Sequence, residues 1–121
     1  MSQIPKILGR LEGVEGTKGA ALLTTDGIMV ASTLGEEFID DVVAGLSSFL
    51  ISTTRRSLAD TGLDGGFSRF TLHSTHGNVV LVDLGEAYLV VITNQFAGLD
   101  TCLTEIEETA AALRRVAKID V

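Results

Sequence analysis

The residue types that could perform catalysis are few in this chain, and their spacing does not group them. The two histidines, His73 and His76, flank a predicted turn, and the single cysteine, Cys102, borders an apolar helical stripe. A cysteine becomes reactive when a histidine or a basic side chain lowers its pKa. The sequence places neither beside Cys102. We therefore expect a buried cysteine, surface histidines and no metal site.

A glycine-rich stretch at residues 13–19 reads Gly-Val-Glu-Gly-Thr-Lys-Gly. A phosphate-binding loop needs four residues between two glycines and a Lys-Ser/Thr ending. This stretch has neither the spacing nor the ending, so it predicts a turn between a helix and a strand. A nucleophile elbow and a dinucleotide-binding motif are also absent from the sequence. We expect a protein that is not an enzyme and needs no cofactor.

Composition and charge limit the classes of partner. The 121 residues are 45% hydrophobic and 21% charged, which is typical of a globular protein, and we expect one domain over residues 1–121. The net charge is −7 and the nine basic residues form no block, which argues against nucleic acid as a partner. No apolar run approaches the roughly 20 residues of a membrane helix. A cytoplasmic protein without membrane insertion is expected, since no signal segment opens the chain.

Hydrophobic periodicity predicts the order α-ββ-α-βββ-α. The predicted elements are a helix around residues 4–11, a hairpin at 18–32, a long helix at 36–60, three strands between 67 and 94, and a helix at 99–118. This order builds a sheet sandwiched between helices, an α/β chain of the α+β type. Such an arrangement favours a binding platform over an enzyme.

The long central helix has an asymmetric charge distribution. Its predicted start is acidic and its predicted end is basic, at Glu36, Glu37, Asp40, Asp41, Arg55 and Arg56. Opposite charges at these ends stabilise a helix through its dipole. The alternative is that the acidic cluster forms a contact surface for a partner.

The same helix has apolar residues on more than one stripe, among them Phe49, and small residues at Gly45, Ser48 and Ser52. A glycine inside a helix costs about 0.8–1 kcal/mol relative to alanine. Close approach of another backbone would explain why that cost is tolerated. We expect this helix to pack on its own sheet and against a second helix from outside.

Residues 67–74 differ from the other strands because their apolar and polar side chains alternate. Phe70 and Leu72 fall on one side, and Arg69, Thr71 and His73 on the other. The strands at 79–82 and 87–92 are continuously apolar, as expected where both faces are covered. The alternating strand is therefore predicted at the sheet edge, where pairing with another chain is possible.

Two stretches resemble the roadblock/dynein light chain family. Residues 16–32, GTKGAALLTTDGIMVAS, resemble its first hairpin. Residues 78–115, NVVLVDLGEAYLVVITNQFAGLDTCLTEIEETAAALRR, resemble its final hairpin and C-terminal helix. The resemblance extends from about Ile4 to Val116. It implies a five-stranded antiparallel sheet in a profilin/roadblock-like fold, with the central helix on one face and both terminal helices on the other.

Family members dimerise by pairing the third strand and packing the central helices together. The resemblance therefore implies a homodimer interface at Gly45, Ser48, Phe49, Ser52, Phe67, Arg69, Thr71 and His73. Bacterial and archaeal members partner Ras-like small GTPases, which makes Asp41, Arg55 and Arg56 candidate partner contacts. The implied function is a non-catalytic homodimeric regulator or scaffold of a small Ras-like GTPase, which either stimulates GTP hydrolysis or only provides a platform. The alternatives are a subunit of a heteromeric scaffold and a profilin-like sensory or ligand-binding domain.

Overall fold

The computed structural model describes residues 3–120, without the side chains of Leu99 and residues 117–120. The elements are α1 (Gln3–Gly9), a 3₁₀ turn (Arg10–Gly13), β1 (Thr17–Thr24), β2 (Met29–Ser32), α2 (Asp40–Asp60), β3 (Arg69–Ser74), β4 (Gly77–Asp83), β5 (Ala87–Asn94) and α3 (Leu99–Asp120). This order confirms the predicted one. Two positions that the apolar spacing of the last helix predicts to be buried, Leu99 and Ala117, lie outside the described side chains.

The five strands form one antiparallel sheet in the order β2-β1-β5-β4-β3. The sheet confirms the α+β class and the predicted edge position of β3. β5 lies between β1 and β4, so the two halves of the chain are joined through the centre of the sheet. β2 and β3 are the two edge strands.

A separate apolar core lies on each face of the sheet. Alternate residues of β5 feed the two cores: Leu89 and Val91 pack with α1 and α3, and Tyr88 and Val90 pack with α2. All four are at most 2% exposed. Covering on both faces explains why β4 and β5 are almost continuously apolar.

The central helix begins at Asp40, four residues later than the predicted start. Glu36 and Glu37 belong to the connection from β2, where Glu37 pairs with Lys18 at 3.8 Å. That connection is needed to carry Phe38 from the sheet edge into the core beneath α2. Only Asp40 and Asp41 therefore occupy the first turn.

The other end of α2 also differs from the prediction. The last turn contains no basic residue, because the helix continues past Arg55 and Arg56 to Asp60. The two arginines are therefore not at the C-terminal end of the helix dipole. Charged side chains therefore stabilise this helix through its dipole only at the acidic first turn.

β3 begins at Arg69, two residues later than predicted. Phe67 precedes the strand and packs into the core beneath α2, with its ring centroid 6.2 Å from Phe70 and 6.3 Å from Tyr88. This packing takes Phe67 out of the strand.

None of the helices in the described part of the chain combines the length and the apolar character needed to cross a membrane.

Candidate protein-interaction surface

One flank of α2 presents large apolar side chains to solvent. Ile39 at the N-cap, Val42, Leu46 and Phe49 are 67%, 52%, 60% and 66% exposed. Spacings of three and four residues place them in one row along the helix. We call this row the apolar ridge. Contiguous exposed apolar surface of this kind marks interaction sites in folded proteins.

A groove of about 550 Å³ lies between the ridge and the sheet. Its sheet side is formed by apolar residues of the last three strands, namely Leu72, Val79, Val90 and Ile92. Leu72 on β3 is 40% exposed, so the groove opens toward the free edge of the sheet. Ridge, groove and strand edge form one continuous apolar face, which we call the α2–β3 face.

β3 pairs with β4 alone, in a register that runs from Arg69 opposite Val82 to Ser74 opposite Gly77. Its side chains alternate as predicted. Phe70 packs in the core beneath α2, whereas Arg69 reaches α3 and pairs with Glu107 at 3.2 Å. The outer edge of β3 therefore offers main-chain hydrogen-bonding groups beside the groove.

His73 is held by its ladder neighbour. Its Nδ1 lies 2.9 Å from Oδ1 of Asn78, and the Asn78 amide donates to Oγ1 of Thr93 at 3.2 Å. Asn78 and Thr93 are buried, while His73 is exposed. This short polar chain fixes the orientation of His73 on β3.

Three of the residues predicted for a dimer interface, Arg69, Thr71 and His73, lie on β3, and the five that precede this strand divide into two groups. Gly45, Phe49 and Ser52 are exposed on α2, and a Cβ at Gly45 would meet nothing within 4 Å. Ser48 instead lies against the β1–β2 turn, since a Cβ at Gly27 would be 2.9 Å from its Oγ. Together with Phe67 in the core, Ser48 therefore contacts its own chain.

The residues predicted as partner contacts also divide. Asp41 and Arg56 are exposed on α2. Arg55 contacts its own chain: its Nη2 lies 3.3 Å from Oδ2 of Asp83, and its guanidinium lies over the rings of Phe67 and Tyr88. All three side chains are exposed, but Arg55, at 45% side-chain exposure, also makes contacts within its own chain.

The sequence does not single out four exposed apolar residues of the candidate surface, namely Ile39, Val42, Leu46 and Leu72. The sequence does contain a signal for them, because the apolar residues of the central helix occupy more than the one stripe needed to pack on its own sheet. The small residues predict which face of the helix points outward, and the apolar row adjoins them on that face.

The described residues contain no group of three or more histidine, cysteine or acidic side chains placed to hold a metal ion. Cys102 is 1% exposed, which confirms its predicted burial. Burial raises the pKa of the Cys102 thiol, and Sγ lies 3.7 Å from the carbonyl oxygen of Glu15. A protonated, inaccessible thiol is a poor nucleophile.

A family model of the Roadblock/LC7 domain matches residues 4–93, and the chain belongs to this family. It is 31% identical over 91 residues to the uncharacterized protein MJ0310 of Methanocaldococcus jannaschii, covering 75% of this chain and 79% of that protein. MglB of Myxococcus xanthus superposes with a TM-score of 0.88 at 16% identity, covering 98% of this chain and 97% of MglB. A structure of MglB with a tetrameric arrangement superposes with a TM-score of 0.87 at 19% sequence identity. The superposition covers 99% of this chain and 91% of the MglB chain. The predicted family and fold are confirmed.

Proposed function

We propose that this chain is a non-catalytic homodimeric regulator or scaffold of a small Ras-like GTPase, and that two copies pair through the α2–β3 face. The observation that carries the proposal is the apolar ridge beside a free edge strand. Ile39, Val42, Leu46 and Phe49 all expose more than half of their surface. An apolar row of this kind is costly to leave in water, and a protein partner would cover it.

The shape of the face supports pairing between identical copies. A two-fold contact uses the same patch on both partners, so the patch must be complementary to itself. The α2–β3 face carries a convex ridge and a concave groove side by side. The ridge of one copy can therefore occupy the groove of the other while its own groove receives the partner's ridge.

The backbone supports the same arrangement. Two β3 edges related by a two-fold axis meet in antiparallel fashion and would join two five-stranded sheets into one. Gly45 and Ser52 lie on the exposed side of α2, and the open space around Gly45 permits a second helix to approach closely. Arg69, Thr71 and His73 would then lie along the joined strands.

The GTPase part of the proposal rests on membership of the Roadblock/LC7 family and on the resemblance described from the sequence. Asp41, Arg55 and Arg56 are the candidates for contact with the GTPase, and all three are exposed. An arginine inserted into a GTPase site can raise hydrolysis by about 10³–10⁵. Arg56 is the better candidate for that role, because Asp83 and two aromatic rings hold Arg55.

Calorimetric titration tests the GTPase proposal. The small Ras-like GTPases of the source organism are purified individually and loaded with a non-hydrolysable GTP analogue or with GDP. We expect at least one to bind preferentially in the GTP-analogue state, and Arg56→Ala and Asp41→Ala to weaken that binding. Stimulated hydrolysis in a separate assay with GTP would identify an activator, and binding without nucleotide preference would identify a scaffold. No binding in either state would contradict the GTPase proposal.

A heteromeric scaffold would use the same face, with a related chain in place of the second copy. Equilibrium sedimentation of the purified protein separates the two arrangements. We expect a dimer of the chain alone. A monomer that dimerises only after addition of another Roadblock/LC7 chain would support the heteromeric scaffold.

A further inference from the structure

Arg55 lies at the centre of a cluster that joins α2 to the beginning of β3. Its Nη2 is 3.3 Å from Oδ2 of Asp83. Its Cζ is 5.9 Å from the ring centroid of Phe67 and 5.4 Å from that of Tyr88. We call these four residues the Arg55 cluster. The contacts combine an ion pair with cation–π interactions, both of which involve one guanidinium.

The segment between α2 and β3 folds back against the helix at the same position. A Cβ at Gly65 would lie 3.1 Å from the carbonyl oxygen of Arg55, so the segment touches the helix backbone there. Two residues later, Phe67 inserts between Phe70 and Tyr88. The segment is thus held at Arg55 by both backbone and side-chain contacts.

Asp83, which receives the guanidinium, is itself tied to several elements. Its amide donates to the carbonyl of Ser68 at 3.0 Å, just before β3 begins. Its Oδ1 accepts the Gly85 amide at 2.7 Å, and its carbonyl accepts Nη2 of Arg114 from α3 at 3.0 Å. Arg55 is therefore attached to an acceptor that both the strand and the opposite helix layer hold in place.

This anchoring matters because β3 is an edge strand with one ladder only. The central strands are fixed by neighbours on both sides, whereas β3 depends on β4 and on the packing of its own side chains. Locally weak segments of this kind open at little cost in free energy. The residues that fix the beginning of β3 therefore decide how well ordered the free edge is.

We propose that Arg55 is a positioning residue, which holds the beginning of β3 so that the free edge has a fixed register for pairing. The role in pairing rests on the proposed homodimer, while the anchoring of β3 is a property of the single chain. Arg55 thereby acts inside its own molecule, as the contact that joins α2 to the beginning of β3.

Hydrogen exchange measured by mass spectrometry tests this role. Arg55→Met keeps the aliphatic stem and removes the charge, and Arg56→Met is the matched control one position along the helix. Both are made in a Phe49→Glu background, which we expect to split the proposed dimer and which sedimentation checks, so that exchange reports on the strand alone. From the usual strengths of ion pairs and cation–π contacts, we expect Arg55→Met to accelerate exchange in residues 64–74 about five- to tenfold. Exchange in β1, which contains no residue of the Arg55 cluster, should be unchanged, as should all exchange in the control.

Two further variants separate positioning from general stability. Arg55→Lys keeps the positive charge but lacks the planar group that stacks on the rings, so exchange should be intermediate. Asp83→Asn keeps an acceptor for the Gly85 amide and removes the charge that faces Arg55. Asp83→Asn should accelerate hydrogen exchange in the same segment, and it provides the test if Arg55→Met cannot be purified folded.

Unchanged exchange in residues 64–74 of Arg55→Met would overturn the proposal. Equal acceleration in β1 would also overturn it, since the effect would then be global. Failure of the homodimer proposal has a different signature, because the wild type would then sediment as a monomer. The exchange experiment would still decide whether Arg55 anchors β3.

Discussion

Replacing one residue of the apolar ridge should weaken the dimer while leaving the folded chain almost unchanged. Leu46 is 60% exposed and lies in the middle of the ridge. Leu46→Ala removes three carbon atoms from the surface and keeps a residue with high helix propensity. Because part of Leu46 is already covered in the single chain, we expect the free energy of unfolding of that chain to fall by at most about 1 kcal/mol.

The effect on dimerisation follows from the exposed fraction. Burial of a CH₂ group contributes about 0.8 kcal/mol, so the three carbons contribute about 2.4 kcal/mol when fully transferred from water. Because 60% of Leu46 is still exposed in the single chain, roughly 1.4 kcal/mol remains to be gained in the dimer. Symmetry doubles this to about 2.9 kcal/mol, since each copy supplies one leucine. The dimer Kd should therefore rise roughly 100-fold.

Sedimentation equilibrium over a range of concentrations measures this Kd. The chain offers a matched control in Leu63, which is 61% exposed in the segment after α2. Leu63→Ala removes the same atoms with the same initial exposure, away from the groove, and should leave the Kd within about twofold. Equal effects of the two substitutions, or a wild type that stays monomeric at all concentrations, would refute the proposed interface.

Three further predictions concern single positions. Gly45→Leu should stabilise α2 in the single chain, since nothing lies within 4 Å of a Cβ there. It should split the dimer, because the larger side chain keeps the second helix away, and sedimentation would show this. Gly27→Ala should lower the free energy of unfolding by about 1–2 kcal/mol in urea titrations, because φ is +88° and the Cβ would meet Ser48 at 2.9 Å. Cys102 should not react with a thiol reagent until the chain unfolds. Because burial raises the pKa of this thiol, the unfolded chain loses the proton first, at a pKa of about 8.5. The free energy of unfolding should therefore be constant below that pH and fall above it. Cys102→Ala should reduce the fall, as urea titrations at several pH values would show.

The two cores were predictable because a strand covered on both faces must be apolar at nearly every position. β5 shows this directly, with Tyr88 and Val90 facing α2 while Leu89 and Val91 face the other two helices. β3 was predictable as an edge strand for the opposite reason. One side of it carries Phe70 toward the core, and the other carries Arg69 toward α3.

The beginning of α2 was not predictable from local sequence. Glu36 and Glu37 have good helix propensity, but the chain uses this stretch to bring Phe38 under the helix. That requirement is set by the position of β2 at the sheet edge. Propensity is a weak guide wherever tertiary packing decides the path of the chain.

The contacts of Arg55 could not be predicted from the sequence for a related reason. Asp83 is 28 residues away in the sequence, and the two residues meet only because the end of β4 lies beneath α2. Adjacent arginines look equivalent in the sequence and both are exposed, yet Arg55 also pairs with Asp83 and lies over two aromatic rings. The candidate interface was thus predictable as a region, and the function of its individual charges was not.

Isotope-filtered NOE spectroscopy tests the proposed pairing most directly. Equal amounts of ¹³C-labelled and unlabelled protein are mixed, and only contacts between two copies are recorded. We predict intermolecular NOEs from the Leu46 methyl groups and the Phe49 ring to the methyl groups of Leu72. If such contacts are absent at concentrations where the protein is dimeric, or instead involve Ile28 and Val30 near the β2 edge, the α2–β3 face is not the interface.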